Sequence, residues 1–398
     1  MSFGERFMTG VGFAGYSLYE VSGMIVMVFV ALLLFYLAIK KKYEPLLLLP
    51  IAFGMMLANL PMPPALGLPN LSAYGMVSGA DGEVNGGLLY WLYSGIRMGI
   101  YPPLIFLCLG AMTDFAPLIA RPSSAFIGLG GQLGIFTAFG LALLMNQFFP
   151  NLGFSHEVAA VIGIIGSSDG PTTIFTARTL APDILPTVAI AAYSYMALVP
   201  IIQPPIMKLL TTKKERVIVM PEPKKVTQKQ KILFPIALTI ISIVLVPGSG
   251  TLIGMLMLGN LIRESGVVDR YINTLQGPLL NILTIMIGIC IGATATADRM
   301  LKPQTIIIIC LGLLAFAFGT VGGVLVAKIL CKISGGKVNP LIGNSGVSAM
   351  PMAARVSQKV GQEYNPHNHL VMHAMGPILA STIGSALVAG IFIAIFGG

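Results

Sequence analysis

Long uncharged stretches alternate with short polar interruptions along most of the chain. Val21–Ile39, Ser123–Ser155, Ile184–Met207, Leu279–Ala297 and Gln304–Ala327 contain no Asp, Glu, Lys or Arg, and Leu370–Phe396 carries His373 as its one ionisable residue. Each is long enough to cross a bilayer, which takes about 20 apolar residues. Ile232–Val246 and Thr251–Ile262 form a shorter pair broken by "PGSG". Two further apolar segments, 158–177 and 338–354, are interrupted by Gly, Ser and Pro and read as re-entrant or broken helices. The pattern predicts an all-α polytopic membrane protein with about ten transmembrane helices plus those two broken segments.

Basic residues orient the spans. Lys40–Lys42 follow the first span, and eight of the 24 Lys and Arg residues lie in the loop 208–231, so both belong on the cytoplasmic side. The Gly- and Pro-rich loop near 61–87, with Asp81 and Glu83, then falls outside. Segment 158–177 enters from that external side and segment 338–354 from the cytoplasm. The two align. "IGSSDGPTTIFTAR" (165–178) and "IGNSGVSAMPMAAR" (342–355) share Ile-Gly, a Ser at the fourth position and a closing Ala-Arg. The same offset pairs Ala197 with Ala374 and Pro200 with Pro377. An odd number of crossings separates the halves, so the repeat is inverted. That architecture belongs to secondary transporters, whose ion site lies where the breaks meet. The expected division is an N-terminal external segment 1–20, a first membrane repeat 21–207, a basic linker 208–231 and a second repeat 232–398.

Composition agrees: 55% of residues are hydrophobic and only 10% charged, against roughly 25% charged in a soluble domain. The net charge of +9 follows from the cytoplasmic loop and gives no ground for a nucleic-acid surface. Four scattered cysteines form neither a disulfide framework nor a metal-ligand pattern. Met1–Glu20 lacks a basic stretch ahead of an apolar core, so no cleavable leader is expected there.

The chemistry concentrates at Asp169, the only ionisable side chain from Val158 to Ala177. In its plainest reading the Asp-Gly-Pro run is a turn with a helix cap. A carboxylate inside a membrane span is nevertheless costly and functional by default. With Ser167, Ser168 and the carbonyls freed by a helix break, it offers oxygen ligands for Na⁺ or H⁺. The facing segment supplies Asn339, Asn344, Ser345 and Ser348, which serve small-residue packing equally well. Arg355 closes that segment as an interfacial anchor or as a carboxylate clamp. Tyr193 and Tyr195 suit an aromatic belt, and Gln203 with Pro204-Pro205 suggests an interrupted helix end. "GSSDG" matches the serine-hydrolase elbow but lacks the strand–turn–helix it requires. His369 and His373 are spaced as a helical zinc pair, without an evident third ligand.

"GAMTDFAPLIARP", "GIIGSSDGPT", "AAYSYMALVPIIQPPIMK", "GNLIRESGVV", "NPLIGNSGVSAMPMAARVSQKVG" and "HAMGP" together resemble the β subunit of the sodium-translocating, biotin-dependent decarboxylases. That family comprises the oxaloacetate, methylmalonyl-CoA, glutaconyl-CoA and malonate pumps, and the resemblance runs from about residue 20 to the C-terminus. It implies three partners: a soluble carboxyltransferase α subunit, a biotin carrier protein or domain, and a small membrane γ/δ subunit. It implies that the β subunit, in the bacterial cytoplasmic (inner) membrane and as part of an oligomer, decarboxylates carboxybiotin. Na⁺ then moves outward and a proton is consumed. By motif, Asp169 becomes the carboxylate that binds Na⁺ and H⁺. Asn339, Gly343, Ser348 and Arg355 become residues of ion passage and carboxybiotin handling, with Tyr195 beside them; Ser168 and Asn344 complete the expected ion ligands. Ile378 departs from the pattern, because family members typically follow "HAMGP" with Asn. Ser168 or Ser381 is expected to rebuild that position. A Na⁺- or H⁺-coupled secondary transporter of an organic anion, without biotin chemistry, is the competing expectation.

Overall fold

The computed structural model describes residues 17–42, 44–60, 77–78, 84–85 and 88–397. The reading of residues 1–16 and most of the external loop, Asp81 and Glu83 included, lies outside the described residues. Apart from one two-residue antiparallel pairing, Val77–Ser78 with Val84–Asn85, every regular element among them is helical. In chain order the α-helices are α1 (Leu18–Ile39), α2 (Pro45–Asn59), α3 (Leu88–Arg97), α4 (Tyr101–Met112), α5 (Ala116–Ala120), α6 (Ser124–Gly131), α7 (Leu133–Phe148), α8 (His156–Ile165), α9 (Gly170–Leu180) and α10 (Leu185–Leu210). They continue as α11 (Lys213–Arg216), α12 (Gln228–Leu245), α13 (Gly250–Ser265), α14 (Asp269–Thr274), α15 (Leu280–Ala293), α16 (Ala297–Met300), α17 (Pro303–Ile333), α18 (Met352–Tyr364) and α19 (Val371–Phe396).

Among the described residues six helical stretches are long and apolar enough to cross a membrane, and eight if two bent pairs each count as one span. The expected ten are not reached on length alone. α2 has 15 residues and α8 has 10, short of the ~20 that span hydrocarbon. The "PGSG" break forms as anticipated: α12 stops at Leu245, one 3₁₀ turn covers Pro247–Ser249, and α13 resumes at Gly250. The interruption expected near Gln203 is displaced. The helix runs on through Pro204 and Pro205 to Leu210, and its 62° bend lies between Tyr195 and Leu198. Pro200 accounts for the shift, since a proline removes the hydrogen bond to the carbonyl four residues earlier and crowds it.

The chain divides into two compact units. One comprises Met1–Tyr101 and Asn281–Ile307. Within it α1 opens on a capping box, in which Ser17 accepts from the Glu20 N–H and Glu20 reaches back to the Ser17 N–H. Asn59 ends α2 by donating to the Ala295 carbonyl at 2.7 Å and accepting from the Ala297 N–H at 3.0 Å.

The second unit comprises Pro102–Leu280 and Ile308–Gly398. Its order of elements runs twice: a long apolar helix, a short helix, a break, a helix, then a long helix containing proline. The first set is α6–α7, α8, α9 and α10; the second is α17, a 3₁₀ segment Pro340–Gly346, α18 and α19. Ile127, Phe316, Val324, Leu341, Val347 and Ile378 share one buried apolar cluster that holds α6, α17, the 3₁₀ segment and α19 together.

The linker after α10 folds back onto this unit. Arg216 is buried, and its guanidinium donates to the Thr211 hydroxyl at 2.9 Å, to the Tyr364 hydroxyl at 2.6 Å, and to the Lys208 and Thr211 carbonyls. It thereby fills the orphan carbonyls at the C-terminus of α10, where a cation also complements the helix dipole. Its own carbonyl accepts from Asn339 and Asn368. Arg216→Ala is expected to cost about 3 kcal/mol, because one change unmakes several charge-assisted hydrogen bonds. Thermal unfolding in detergent measures it.

Candidate functional site

The first break is built by capping at both helix ends. α8 stops at Ile165, and the N–H groups of Gly166, Ser167 and Ser168 close tight turns onto Gly163, Ile164 and Ile165. Ser168 then takes a positive φ of 55°, sparsely allowed for a non-glycine residue and held here by its surroundings. That reversal lets Asp169 cap α9, with one carboxylate oxygen accepting from the Thr172 N–H at 3.2 Å. Its other oxygen accepts from the Ser385 hydroxyl of α19 at 2.9 Å. Asp169 is therefore the expected helix cap, but a cap only 5% exposed, among apolar helices.

The second break opposes it. The 3₁₀ segment ends at Gly346, Val347 is extended, and α18 starts at Met352. The two breaks touch: the Ser348 N–H donates to the Ser167 carbonyl at 2.8 Å. The Ser348 hydroxyl bonds to the Ser381 hydroxyl of α19 at 3.1 Å. Ser381 also receives the side-chain N–H of Gln132, at 3.2 Å to its hydroxyl and 3.3 Å to its carbonyl. Ser381 and Ser385 are four apart on one helix face, so α19 joins Gln132 and Ser348 to Asp169.

Several buried polar atoms around this junction have no hydrogen-bond partner: Gln132 Oε1, Ser168 Oγ, Thr172 Oγ1 and the Tyr193 hydroxyl. Tyr193 lies against the break, since a Cβ added to Gly170 would stand 2.5 Å from its ring. Native interiors satisfy nearly all such groups. A concentration of oxygens beside one carboxylate is a donor set for a cation.

The remaining sequence candidates divide. Ser168 and Ser348 join the junction. Asn344 is committed elsewhere: its amide donates to Gln203 at 2.8 Å and to the Ala353 carbonyl at 2.9 Å, and its oxygen accepts from Ser345 and Ser357. Asn339 caps the 3₁₀ segment and donates to the Arg216 and Ile218 carbonyls, at the linker. Gly343 is pressed against the backbone of α17. Tyr195 is buried with its hydroxyl on the Ile309 carbonyl. Arg355 is exposed on the first turn of α18. Ile378 is fully buried in the apolar cluster, one turn before Ser381. The zinc pair does not form, because α19 begins at Val371 and leaves His369 off the helix. Among the described residues no three His, Cys, Asp or Glu side chains converge. Around "GSSDG" there is no sheet, which removes the hydrolase elbow.

Sequence reasoning passed over Gln132, Thr172 and Ser385, and weighed Tyr193 only as a belt residue. One signal was present: Ser381 and Ser385 at helical spacing inside an apolar span. Gln132 alone carries no comparable pattern.

Comparison with known proteins places the chain in a family. The family model described as Na⁺-transporting oxaloacetate decarboxylase beta subunit matches residues 23–396. The chain is 50% identical to the methylmalonyl-CoA decarboxylase subunit beta of Propionigenium modestum, over 98% of both chains. It is 50% identical to the glutaconyl-CoA decarboxylase subunit beta of Acidaminococcus fermentans, over 94% of each chain. It is 46% identical to the oxaloacetate decarboxylase beta chain of Klebsiella pneumoniae, over 94% of this chain and 95% of that one. With a buried carboxylate at the meeting of two helix breaks and matches of this extent, the chain belongs to the family of beta subunits of Na⁺-transporting decarboxylases.

Proposed function

We propose that this chain decarboxylates carboxybiotin brought by a carrier and couples that step to outward Na⁺ movement through the junction at Asp169. The observation that carries the reading is the pairing of one intramembrane carboxylate with unpartnered neutral oxygens of Gln132, Ser168, Thr172 and Tyr193, beside the hydrogen-bonded Ser348–Ser381 pair. Loss of CO₂ from an N-carboxylated urea leaves its electron pair on nitrogen, and that nitrogen takes a proton. Asp169 in its acid form is the source of that proton, relayed to the nitrogen along the polar groups of the seam between α6 and α19, and the carboxylate left behind accepts Na⁺ among the hydroxyl and amide oxygens. Na⁺ and H⁺ thus compete for one group, and this competition couples the chemistry to transport.

The proposal extends to the architecture. The repeated order of elements supports a duplication spanning 21–207 and 232–398 about the linker 208–231, with the halves inverted, ten crossings in all, and breaks entering from opposite faces. Asn339 and Arg355 serve at the linker end, where the carrier delivers its group; Tyr195, Gly343 and Asn344 hold the two breaks in register. The partners are a carboxyltransferase α subunit, a biotin carrier and a small membrane γ/δ subunit, assembled with this chain in a bacterial cytoplasmic membrane. The test is direct. Purified chain given free carboxybiotin should release biotin at a rate that saturates with Na⁺, and release indifferent to Na⁺ sinks the reading.

A further inference from the structure

We propose that Arg121 is a second anchor for the substrate's carboxylate, at the mouth of the seam between α6 and α19. The inference rests on the functional reading above and deepens it. Arg121 is fixed through its backbone: its N–H donates to the Pro117 carbonyl at 3.2 Å, and its carbonyl accepts from the Ser124 N–H at 3.0 Å and hydroxyl at 2.7 Å. Its guanidinium, by contrast, has a buried Nη1 with no partner. Other cations near the linker find acids: Lys208 with Glu363 at 2.6 Å, Lys231 with Asp114 at 3.3 Å, Lys328 with Glu215 at 3.7 Å. Burial draws the Arg121 guanidinium below the ordinary arginine value, and no carboxylate among the described residues opposes this. Arg121 is half-buried, and a partly shielded charge without a counter-ion is costly, which leaves a place for a ligand's negative charge. An arginine serving only as a membrane anchor extends its head toward water or headgroups, whereas Arg121 turns Nη1 inward.

The surroundings specify the ligand. Arg121 is within electrostatic reach of His373 on the first turn of α19. Ser124 lies against the same turns, since a Cβ on Gly376 would stand 2.7 Å from its hydroxyl. On α18, Gln358 accepts from the Leu370 and Val371 N–H groups at 2.6 and 3.1 Å. Arg355 lies three residues earlier on the same helix, exposed on its first turn. The linker reaches this end too, through Asn368 and the Arg216 carbonyl at 3.0 Å. From here the seam runs inward along α19, past Gly128 at Ala380 and Gln132 at Ser381, to Ser385 on Asp169. His373 and Ser385 are roughly 18 Å apart along the helix. A guanidinium with an unpartnered, inward Nη1 suits a planar carboxylate, and an N-carboxylated cyclic urea presents one.

The experiment measures biotin release from free carboxybiotin by the reconstituted wild-type chain, Arg121→Gln and Arg121→Lys, with carboxybiotin and Na⁺ titrated separately. Arg121→Gln is expected to raise KM for carboxybiotin by about 10- to 100-fold, the range of a lost charge-assisted hydrogen bond. The Na⁺ half-saturation should stay within about twofold, and Arg121→Lys, which keeps the charge, should recover part of the loss. Lys also covers the case in which Gln misfolds: a Lys variant with wild-type KM, or a half-saturation for Na⁺ that moves in step with KM, overturns the proposal. A defect that follows the anionic lipid content of the vesicles overturns it in favour of a lipid phosphate partner. Should wild-type chain itself lack Na⁺-dependent release, the functional reading falls; normal wild-type release with an unaffected Arg121→Gln removes this inference alone.

Discussion

Asp169→Asn is expected to leave the fold intact while lowering Na⁺-dependent carboxybiotin decarboxylation by about 10²- to 10⁴-fold, the usual contribution of a positioned acid. Asn is nearly isosteric and caps helices as well as Asp, so the bond from the Thr172 N–H survives. The Ser385 hydroxyl can turn to accept from the new amide where it now donates to Asp169. Removing an unpaired buried charge costs no stability in itself. What disappears is the transferable proton and the one negative charge in the junction. Biotin release measured against Na⁺, with thermal unfolding alongside, separates these effects. Full turnover with unchanged sodium dependence would remove Asp169 from the mechanism.

Much of the site was legible because helix breaks write themselves in Gly, Ser and Pro. "GSSDGPT" announced a break and a cap, and both formed at the expected residues. The second break was equally visible in "IGNSGVSAMP", and the Ser348 contact with Ser167 brings the two together. The chemistry of the facing residues was less legible. Asn344 looked like an ion ligand from composition, yet an amide can spend its donors on any nearby carbonyl, and Gln203 and Ala353 take them. Of the adjacent tyrosines, helix phase decides which one faces the carboxylate, and the 62° bend at Tyr195 obscured that phase. Tyr193 faces the break, while Tyr195 turns to α17. Gln132 was invisible for a different reason: its role depends on Ser381, far away in sequence.

Gly343→Ala is expected to lower stability by about 3 kcal/mol and to reduce turnover further than that loss of folded protein explains. A Cβ at Gly343 would stand 2.4 Å from Val324 Cα and 2.6 Å from the Gly323 carbonyl. Both are backbone atoms of α17, so no side chain can swing aside and the 3₁₀ segment itself must move. That segment is tied at one end by Asn339 to the linker and at the other by Asn344 to Gln203. Displacement therefore passes on to Ser348 and its contact with the first break. A shift on the order of 1 Å in a positioned group costs about 100-fold in rate. Gly323→Ala presses from the other side, with its Cβ 2.1 Å from the Gly343 carbonyl, and should reproduce both losses without touching the break. Gly140→Ala is the control, because nothing lies within 4 Å of its Cβ, and Ala favours a helix by about 1 kcal/mol over Gly. Thermal unfolding and sodium-saturated turnover of the three variants decide the matter. A Gly323→Ala chain with normal turnover beside an impaired Gly343→Ala would mean that Gly343 acts on the ion directly, and that close packing against α17 is not what the reaction needs.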